Sequence, residues 1–234
     1  MELKESLKEW KVVLASASPR RKELLEQIGI IPDIRPSAVE EEKNEEEPSK
    51  LVENLSYIKA ADVASRCEAG TLVIGADTVV AVCPKGEERP VILGKPGNAE
   101  NAGNMIRQIQ GHVHQVYTGV TVILCQEAGS YAGSTFSEKT DVEVYDMEDG
   151  EIAAYVSTGE PLDKAGAYGI QGSFAAYIRG IHGDYTNVVG LPLGRLCHEI
   201  KKLLEEQGIG YAFRKKEIKS FWRTDYMENR QCKQ

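Results

Sequence analysis

The junction between the first predicted strand and the first predicted helix constrains the fold more than any other feature. Apolar residues predict a strand over 11–16, and the spacing of Leu and Ile predicts a helix over 19–28. Ser18 has the hydroxyl that an N-cap residue needs, and Pro19 suits the first helical position. The chain therefore passes directly from strand to helix, as it does in α/β proteins.

Three consecutive cations, Arg20, Arg21 and Lys22, fall in the first turn of that predicted helix. Each cation opposes the helix dipole at a cost of roughly 0.3–1 kcal/mol, whereas the free N–H groups of the turn favour an anion. Phosphate suits this turn best, because paired guanidiniums bind it bidentately and Ser16 and Ser18 add hydroxyls. The alternative is a solvated basic helix start.

The composition is that of a globular protein with one localised basic site. The 234 residues, 41% of them hydrophobic, can form one large domain or two small ones. The net charge of −8 argues against a general nucleic-acid binder and makes the basic turn a local exception. Strands and helices are intermixed without an internal repeat, which predicts a single α/β unit with a mixed sheet.

Cysteine usage and hydropathy predict a soluble, cytoplasmic protein. The five cysteines are widely separated and never spaced C-x-x-C, which is typical of reduced intracellular thiols. The N-terminus lacks an apolar signal core, and no apolar run approaches the roughly 18–20 residues of a membrane span. His112 and His114 share one face of a predicted strand, and we interpret them as surface or packing residues, not metal ligands.

The remaining elements follow from periodicity and turn residues. Helices are predicted over 48–68, 98–110, 148–157 and 191–206, and further strands over 71–82, 112–124, 135–145 and 174–179. The segment 79–93 is typical of a hairpin with its tip at 84–90, and the acidic stretch 40–47 of a solvated loop.

A carboxylate interrupts the β-branched run 71–82. Burying the ionised Asp77 there costs several kcal/mol unless a metal, a cation or a bend toward solvent compensates the charge. Lys59 falls within the apolar arc of the preceding helix. Its stem either lies along the edge of the buried face or delivers an ammonium group into a cleft. Gly75 permits a close backbone approach or a bulge.

Four motifs then occur in one order along the chain. They are Ser16-Ala-Ser-Pro-Arg-Arg21, Gly75-Ala-Asp-Thr78, Gly94-Lys-Pro96 and Glu160-Pro-Leu-Asp-Lys-Ala-Gly-Ala-Tyr-Gly-Ile-Gln171. No single one identifies a family, and the glycine-rich last segment matches neither a P-loop nor a dinucleotide fingerprint. Together, over 11–207, they resemble the Maf family of nucleoside triphosphate pyrophosphatases.

This resemblance implies a fold and a reaction. The fold would be mixed α/β, with an elongated central sheet, flanking helices and two lobes around a cleft, similar to inosine triphosphate pyrophosphatases, and usually a homodimer. The reaction would cleave a nucleoside triphosphate between the α and β phosphates, with a divalent metal such as Mg²⁺ or Mn²⁺, to give the monophosphate and pyrophosphate.

The resemblance also assigns roles to residues at matching positions. The phosphate-site residues would be Ser16, Arg20, Arg21, Lys59 and Lys95. Glu41 would be a metal ligand, and Asp77 the proton acceptor or water-positioning group, with metal binding by Asp77 left open. Arg21, Thr78 and Gln171 resemble the branch that acts on dTTP and UTP, and an amide can both donate to and accept from the imide edge of a pyrimidine.

Two other functions compete with this hypothesis. Family members are also described as septum-formation inhibitors, so a non-catalytic nucleotide-binding regulator of cell division is one alternative. A structural phosphate site is another, although it explains Arg20 and Arg21 but not Asp77 and Lys95. Residues 1–10 are expected to be an extension, and the basic and aromatic tail 208–234 an arm packed on the domain or across a dimer.

Overall fold

The computed structural model describes Leu7 and residues 10–40, 47–84 and 89–208. The strands are β1 Lys11–Leu14, β2 Asp33–Ile34, β3 Thr71–Val82, β4 Val91–Leu93, β5 Val113–Cys125, β6 Tyr131–Val144 and β7 Ile178–His182. The helices are α1 Pro19–Gln27, α2 Pro48–Ala64, α3 Ala99–Ile109, α4 Asp149–Ser157, α5 Tyr185–Val189 and α6 Leu193–Glu206. Short 3₁₀ turns cover Glu127–Gly129, Glu160–Asp163, Ala165–Ala167 and Ser173–Tyr177.

The strands form one mixed sheet, which confirms the predicted α/β class. Its order is β2-β1-β3-β5-β6-β7, with β4 paired to β3 off this path. Strand β1 is parallel to β2 and β3, and the other pairings are antiparallel. The three long strands have 12, 13 and 14 residues, which gives the sheet its elongated shape.

A gap along one edge of β3 divides the sheet into two lobes. Strand β1 pairs with residues 71–74 of β3, and β4 pairs with residues 80–82. The backbone between them, which carries Asp77 and Thr78, has no strand partner on that side in the described structure. Because β3 is paired with β5 along its other edge, the gap opens as a cleft without breaking the sheet.

Each lobe has its own hydrophobic core on one side of this gap. The first core packs α1 and α6 against β1 and the first half of β3, with Leu25 and Ile74 fully buried. The second packs α3 and α4 against β4 and the second half of β3, around the fully buried Phe174. Each such side chain contributes roughly 1.5–3 kcal/mol of hydrophobic stabilisation, so both sides of the cleft are rigidly supported.

Several predicted boundaries were wrong. The segment 174–179 was expected to be a strand, but it begins as the 3₁₀ turn Ser173–Tyr177, because Phe174 packs among the rings of Tyr155, Tyr168 and Tyr177. Strand β3 is continuous through the expected interruption, α2 ends before residue 68, β6 begins before residue 135, and α6 begins after residue 191.

Local signals were also misjudged at two helix starts. Ser18 lies at the N-cap of α1, but its side chain makes no capping hydrogen bond. Helix α5 was not predicted, because five residues are too few to show a period. Its start is fixed by Asp184, which accepts a hydrogen bond from the Thr186 N–H at 2.7 Å.

Cys67, Cys125 and Cys197 form no disulfide in the described part of the chain. Among the described residues, no helix is both long enough and apolar enough to cross a membrane.

His114 is a packing residue in β5. Its ring is fully buried, Nε2 lies 2.8 Å from the Tyr168 hydroxyl, and the two rings meet edge to face. Burial lowers the pKa of His114 from 6.5 to about 4, against the smaller, opposite effect of the nearby Asp141 charge. Between about pH 4 and 6.5, the His114 imidazole is therefore neutral in the folded protein and protonated in the unfolded chain.

We expect this histidine to make stability fall with acid. The folded pKa lies below the unfolded one, so the contribution is present above pH 6.5 and is lost as pH falls toward 4. When the pH is lowered from 7 to 4.5, the free energy of unfolding falls in the wild type. In His114→Gln this fall should be smaller by roughly 2–3 kcal/mol, because the variant has no histidine to protonate at this position. Urea midpoints at the two pH values measure this difference, and equal losses in both proteins would contradict it.

Candidate active site

The gap in β3 opens into a cleft of about 510 Å³ between the two lobes. One side is formed by the turn between β1 and α1, and the floor by β3 around Asp77 and Thr78. The other side is formed by Lys95 and the loop 163–172, and the end of α5 with Gly190 completes the lining. The structure thus brings together, around one cavity, every described residue that the sequence analysis proposed for the site.

Arg21 holds the first side of the cleft to the floor. Its guanidinium donates hydrogen bonds to Ser16 Oγ at 2.9 Å, to the Ala76 carbonyl at 2.8 Å and to Thr78 Oγ1 at 3.1 Å. Its Nε donates to the Gly190 carbonyl at 2.9 Å. The side chain therefore partners the free edge of β3 where no strand does. Contact between Arg21 and phosphate stays a prediction. The hydrogen bonds from Arg21 to the protein were not predicted, because no nearby residue pattern in the sequence indicates them.

Arg20 and Lys95 place cations on opposite sides of the cleft. Arg20 Nη1 lies 3.4 Å from Asp163 Oδ2 on the facing loop. The Arg20 side chain is 30% exposed and that of Asp163 is 64% exposed. Solvent-accessible pairs of this kind are worth about 0–1 kcal/mol, so an anionic ligand can compete for the arginine. Lys95 is exposed and has no ion pair among the residues that the structure describes.

Asp77 and Lys59 form an ion pair on the floor of the cleft. Lys59 Nζ donates to Asp77 Oδ1 at 2.5 Å, and both side chains are about 15% exposed or less. The lysine reaches the sheet because Gly75 lets α2 approach: a Cβ there would lie 2.8 Å from the backbone nitrogen of Ala60. Of the two sequence interpretations of Lys59, the structure favours the ammonium group delivered into a cleft.

Glu160 organises the loop that carries Gln171, a role the sequence analysis missed. Its carboxylate accepts hydrogen bonds from the Tyr155 hydroxyl at 3.1 Å and from both the N–H and hydroxyl of Ser173. Burial raises the pKa of Glu160, but the hydrogen bonds from Ser173 and Tyr155 together lower it by more than burial raises it. The pKa of this carboxyl therefore lies below its usual range. Gly172 leaves the space that this carboxylate occupies.

A family model described as "Maf-like protein" matches residues 11–203. The chain belongs to the Maf family. This confirms the resemblance carried by the four motifs.

Relatives of known name agree with the family. A dTTP/UTP pyrophosphatase of Agathobacter rectalis is 51% identical over 204 residues, covering 82% of this chain and 97% of the relative. A dTTP/UTP pyrophosphatase of Lachnoclostridium phytofermentans is 46% identical over 193 residues, covering 82% and 95%. Among solved structures, the Staphylococcus aureus Ham1 protein aligns at 15% identity and a TM-score of 0.38, covering 58% of this chain and 72% of that one.

The metal site that a Maf protein implies is only partly visible here. Glu41, the predicted metal ligand, lies outside the described residues, as do residues 209–234 of the tail and the centre of the hairpin tip. Within the described residues, no group of three or more His, Cys, Asp or Glu side chains could hold a metal alone. Asp77 still fits such a site, because Mg²⁺ is usually held by one or two carboxylates together with substrate phosphates.

Proposed function

We propose that this Maf protein hydrolyses dTTP and UTP between the α and β phosphates and releases pyrophosphate. The observation that carries the proposal is the Lys59–Asp77 pair, at 2.5 Å, on the floor of a cleft with cations on both sides. The names of the relatives that are 51% and 46% identical support the choice of substrates.

The charge of the cleft suits a triphosphate. Such a ligand carries about four negative charges near neutral pH, and phosphoryl transfer depends on positioning and on stabilising charge at the equatorial oxygens. Arg20 and Lys95 approach from opposite sides, and Lys59 from below. Ser16 adds a hydroxyl: its oxygen already accepts from Ser18 N–H and Arg21 Nη1, so its proton is available to a phosphate oxygen.

Asp77 is the general base that orients and deprotonates the attacking water. Lys59 engages its Oδ1, so Oδ2 is the oxygen that accepts a hydrogen bond from water and takes its proton. As the water oxygen bonds to the α-phosphorus, the bond to the bridging oxygen breaks and its electron pair leaves with pyrophosphate. The Lys59 ammonium keeps Asp77 in the orientation this step requires.

A divalent ion, Mg²⁺ or Mn²⁺, would be held by Glu41 and by phosphate oxygens of the substrate, beside the Asp77 carboxylate, whose charge favours the ion. The ion would neutralise part of the phosphate charge and orient the α-phosphate. The residues described above supply the rest of the binding.

A panel of nucleoside triphosphates with Mg²⁺ or Mn²⁺, read by pyrophosphate yield, tests the proposal. We expect dTTP and UTP to give the monophosphate and pyrophosphate. Release of orthophosphate alone would contradict the reaction, and binding without turnover would favour the non-catalytic regulator.

Two accompanying predictions concern the protein in the cell. We infer a homodimer in the cytoplasm from the family resemblance and the cysteine spacing. Light scattering of the purified protein and fractionation of its host measure these properties directly.

A further inference from the structure

A row of polar groups runs from the cleft into the sheet behind it. We name the row of Arg21, Thr78, Thr118 and Asn187 the polar row. Arg21 Nη2 donates to Thr78 Oγ1 at 3.1 Å, and Thr78 Oγ1 lies 2.9 Å from Thr118 Oγ1. Thr118 Oγ1 lies 3.0 Å from the backbone carbonyl of Asn187. Thr118 and Asn187 are fully buried, so no solvent competes for these groups.

The backbone carbonyl of Asn187, at the buried end of the polar row, determines which group donates in each hydrogen bond of the row. The Asn187 carbonyl can only accept, so the single proton of Thr118 points to it. Thr118 therefore accepts from Thr78, which places the single proton of Thr78 on that bond. The Thr78 oxygen also accepts from Arg21, which can only donate. One lone pair of Thr78 is left, with no partner in the described part of the chain.

Asn187 is fixed well enough to hold this direction. Its Nδ2 donates to the Val116 carbonyl at 3.1 Å and to Thr140 Oγ1 at 2.9 Å. Thr140 in turn donates to the Asp184 carbonyl at 3.0 Å, at the start of α5. These bonds hold α5 against β5 and β6, so the carbonyl that orients Thr118 cannot turn away without breaking buried hydrogen bonds.

From this we propose that Thr118 is a specificity-positioning residue that makes Thr78 an obligate hydrogen-bond acceptor for the base. The inference rests on the proposed function, since it requires a pyrimidine in the cleft lined by Thr78. Uracil and thymine present an imide N–H donor, whereas cytosine presents a bare ring nitrogen at the same position. An acceptor-only hydroxyl binds the first two and repels the lone pair of the third.

Gln171 cannot make this distinction alone. Its amide has both donors and an acceptor, and a turn of the terminal bond exchanges them. The side chain is exposed on the cleft loop, where no described hydrogen bond fixes its amide. Discrimination between an imide and an aminopyrimidine therefore depends on a group whose proton is fixed, and Thr78 is such a group.

Binding of two unreactive nucleotides tests the inference. With Mg²⁺ present throughout, calorimetry would give Kd for α,β-imido-UTP and α,β-imido-CTP. The wild type should bind the uridine analogue more tightly. Thr118→Val keeps the side-chain shape but removes the acceptor for the Thr78 proton, which can then turn toward the cleft. One hydrogen bond of about 1–1.5 kcal/mol corresponds to roughly a tenfold fall in the uridine-to-cytidine affinity ratio.

Matched variants separate this role from a structural one. Thr118→Ser keeps the hydroxyl and should retain the wild-type ratio. Thr121→Val removes another buried hydroxyl from β5, one bonded to Ser56 and Thr135 away from the cleft, and should also leave the ratio unchanged. Thr118→Ala, compared with Thr118→Ser, replaces the valine variant if the latter does not fold.

The outcomes distinguish this inference from the proposed function. An unchanged ratio in folded Thr118→Val, with pyrophosphate release from UTP intact in the wild type, would overturn the role of Thr118 alone. A wild type that releases no pyrophosphate from any nucleotide would contradict the proposed function, and the inference with it.

Discussion

Asp77→Asn should lower the rate of pyrophosphate release from UTP by about 10²–10⁴-fold, the usual contribution of a positioned acid or base. The amide oxygen can still accept from Lys59, so the pair at 2.5 Å keeps a hydrogen bond and the side-chain shape is unchanged. What is lost is the negative charge and the ability of the second carboxylate oxygen to take a proton. We therefore expect kcat to fall much more than KM rises.

Asp149→Asn is the matched control for this substitution. Asp149 lies at the start of α4, its side chain is 84% exposed, and its contact is with Arg107 outside the cleft. The control should retain wild-type turnover, and both variants should unfold at urea concentrations close to the wild type. Turnover of Asp77→Asn within a few-fold of the control would remove Asp77 from the chemistry.

Local patterns were sufficient for the parts of the site that lie within single elements. A carboxylate inside a β-branched run needs a metal, a cation or a bend toward solvent, and this requirement pointed to Asp77. The structure shows that the compensating group is a cation, Lys59. The strand-to-helix turn likewise placed Arg20 and Arg21 at one end of a helix. In both cases the physical reason lies within about twenty residues of sequence.

Contacts between distant segments were not predictable in this way. Arg21 donates to the carbonyls of Ala76 and Gly190, which are 55 and 169 residues away, and a backbone carbonyl leaves no residue type to recognise. Glu160 begins the fourth motif, but the sequence assigned it no role, because its partner Ser173 becomes adjacent only once the loop closes. Such groups are recognised only when the sheet order is known.

Gly119→Ala should lower the free energy of unfolding by about 3–5 kcal/mol, near the upper end for a single substitution. Gly119 lies opposite Asp77 in the pairing of β3 with β5. A Cβ at this position would overlap the carbonyl of Val52 and lie 2.7 Å from the backbone nitrogen of Glu53. Both neighbours are backbone atoms of α2, so no side chain can rotate away and the helix itself must move.

That movement links stability to the active site, because α2 also carries Lys59. Displacing α2 from β5 would lengthen the Lys59–Asp77 contact, so the folded fraction of Gly119→Ala should also turn over UTP more slowly. Gly194→Ala is the control: Gly194 lies in α6 with no atom within 4 Å of the added Cβ, and alanine there should change stability by less than about 1 kcal/mol. Equal urea midpoints for the two variants would show that α2 does not rest on Gly119.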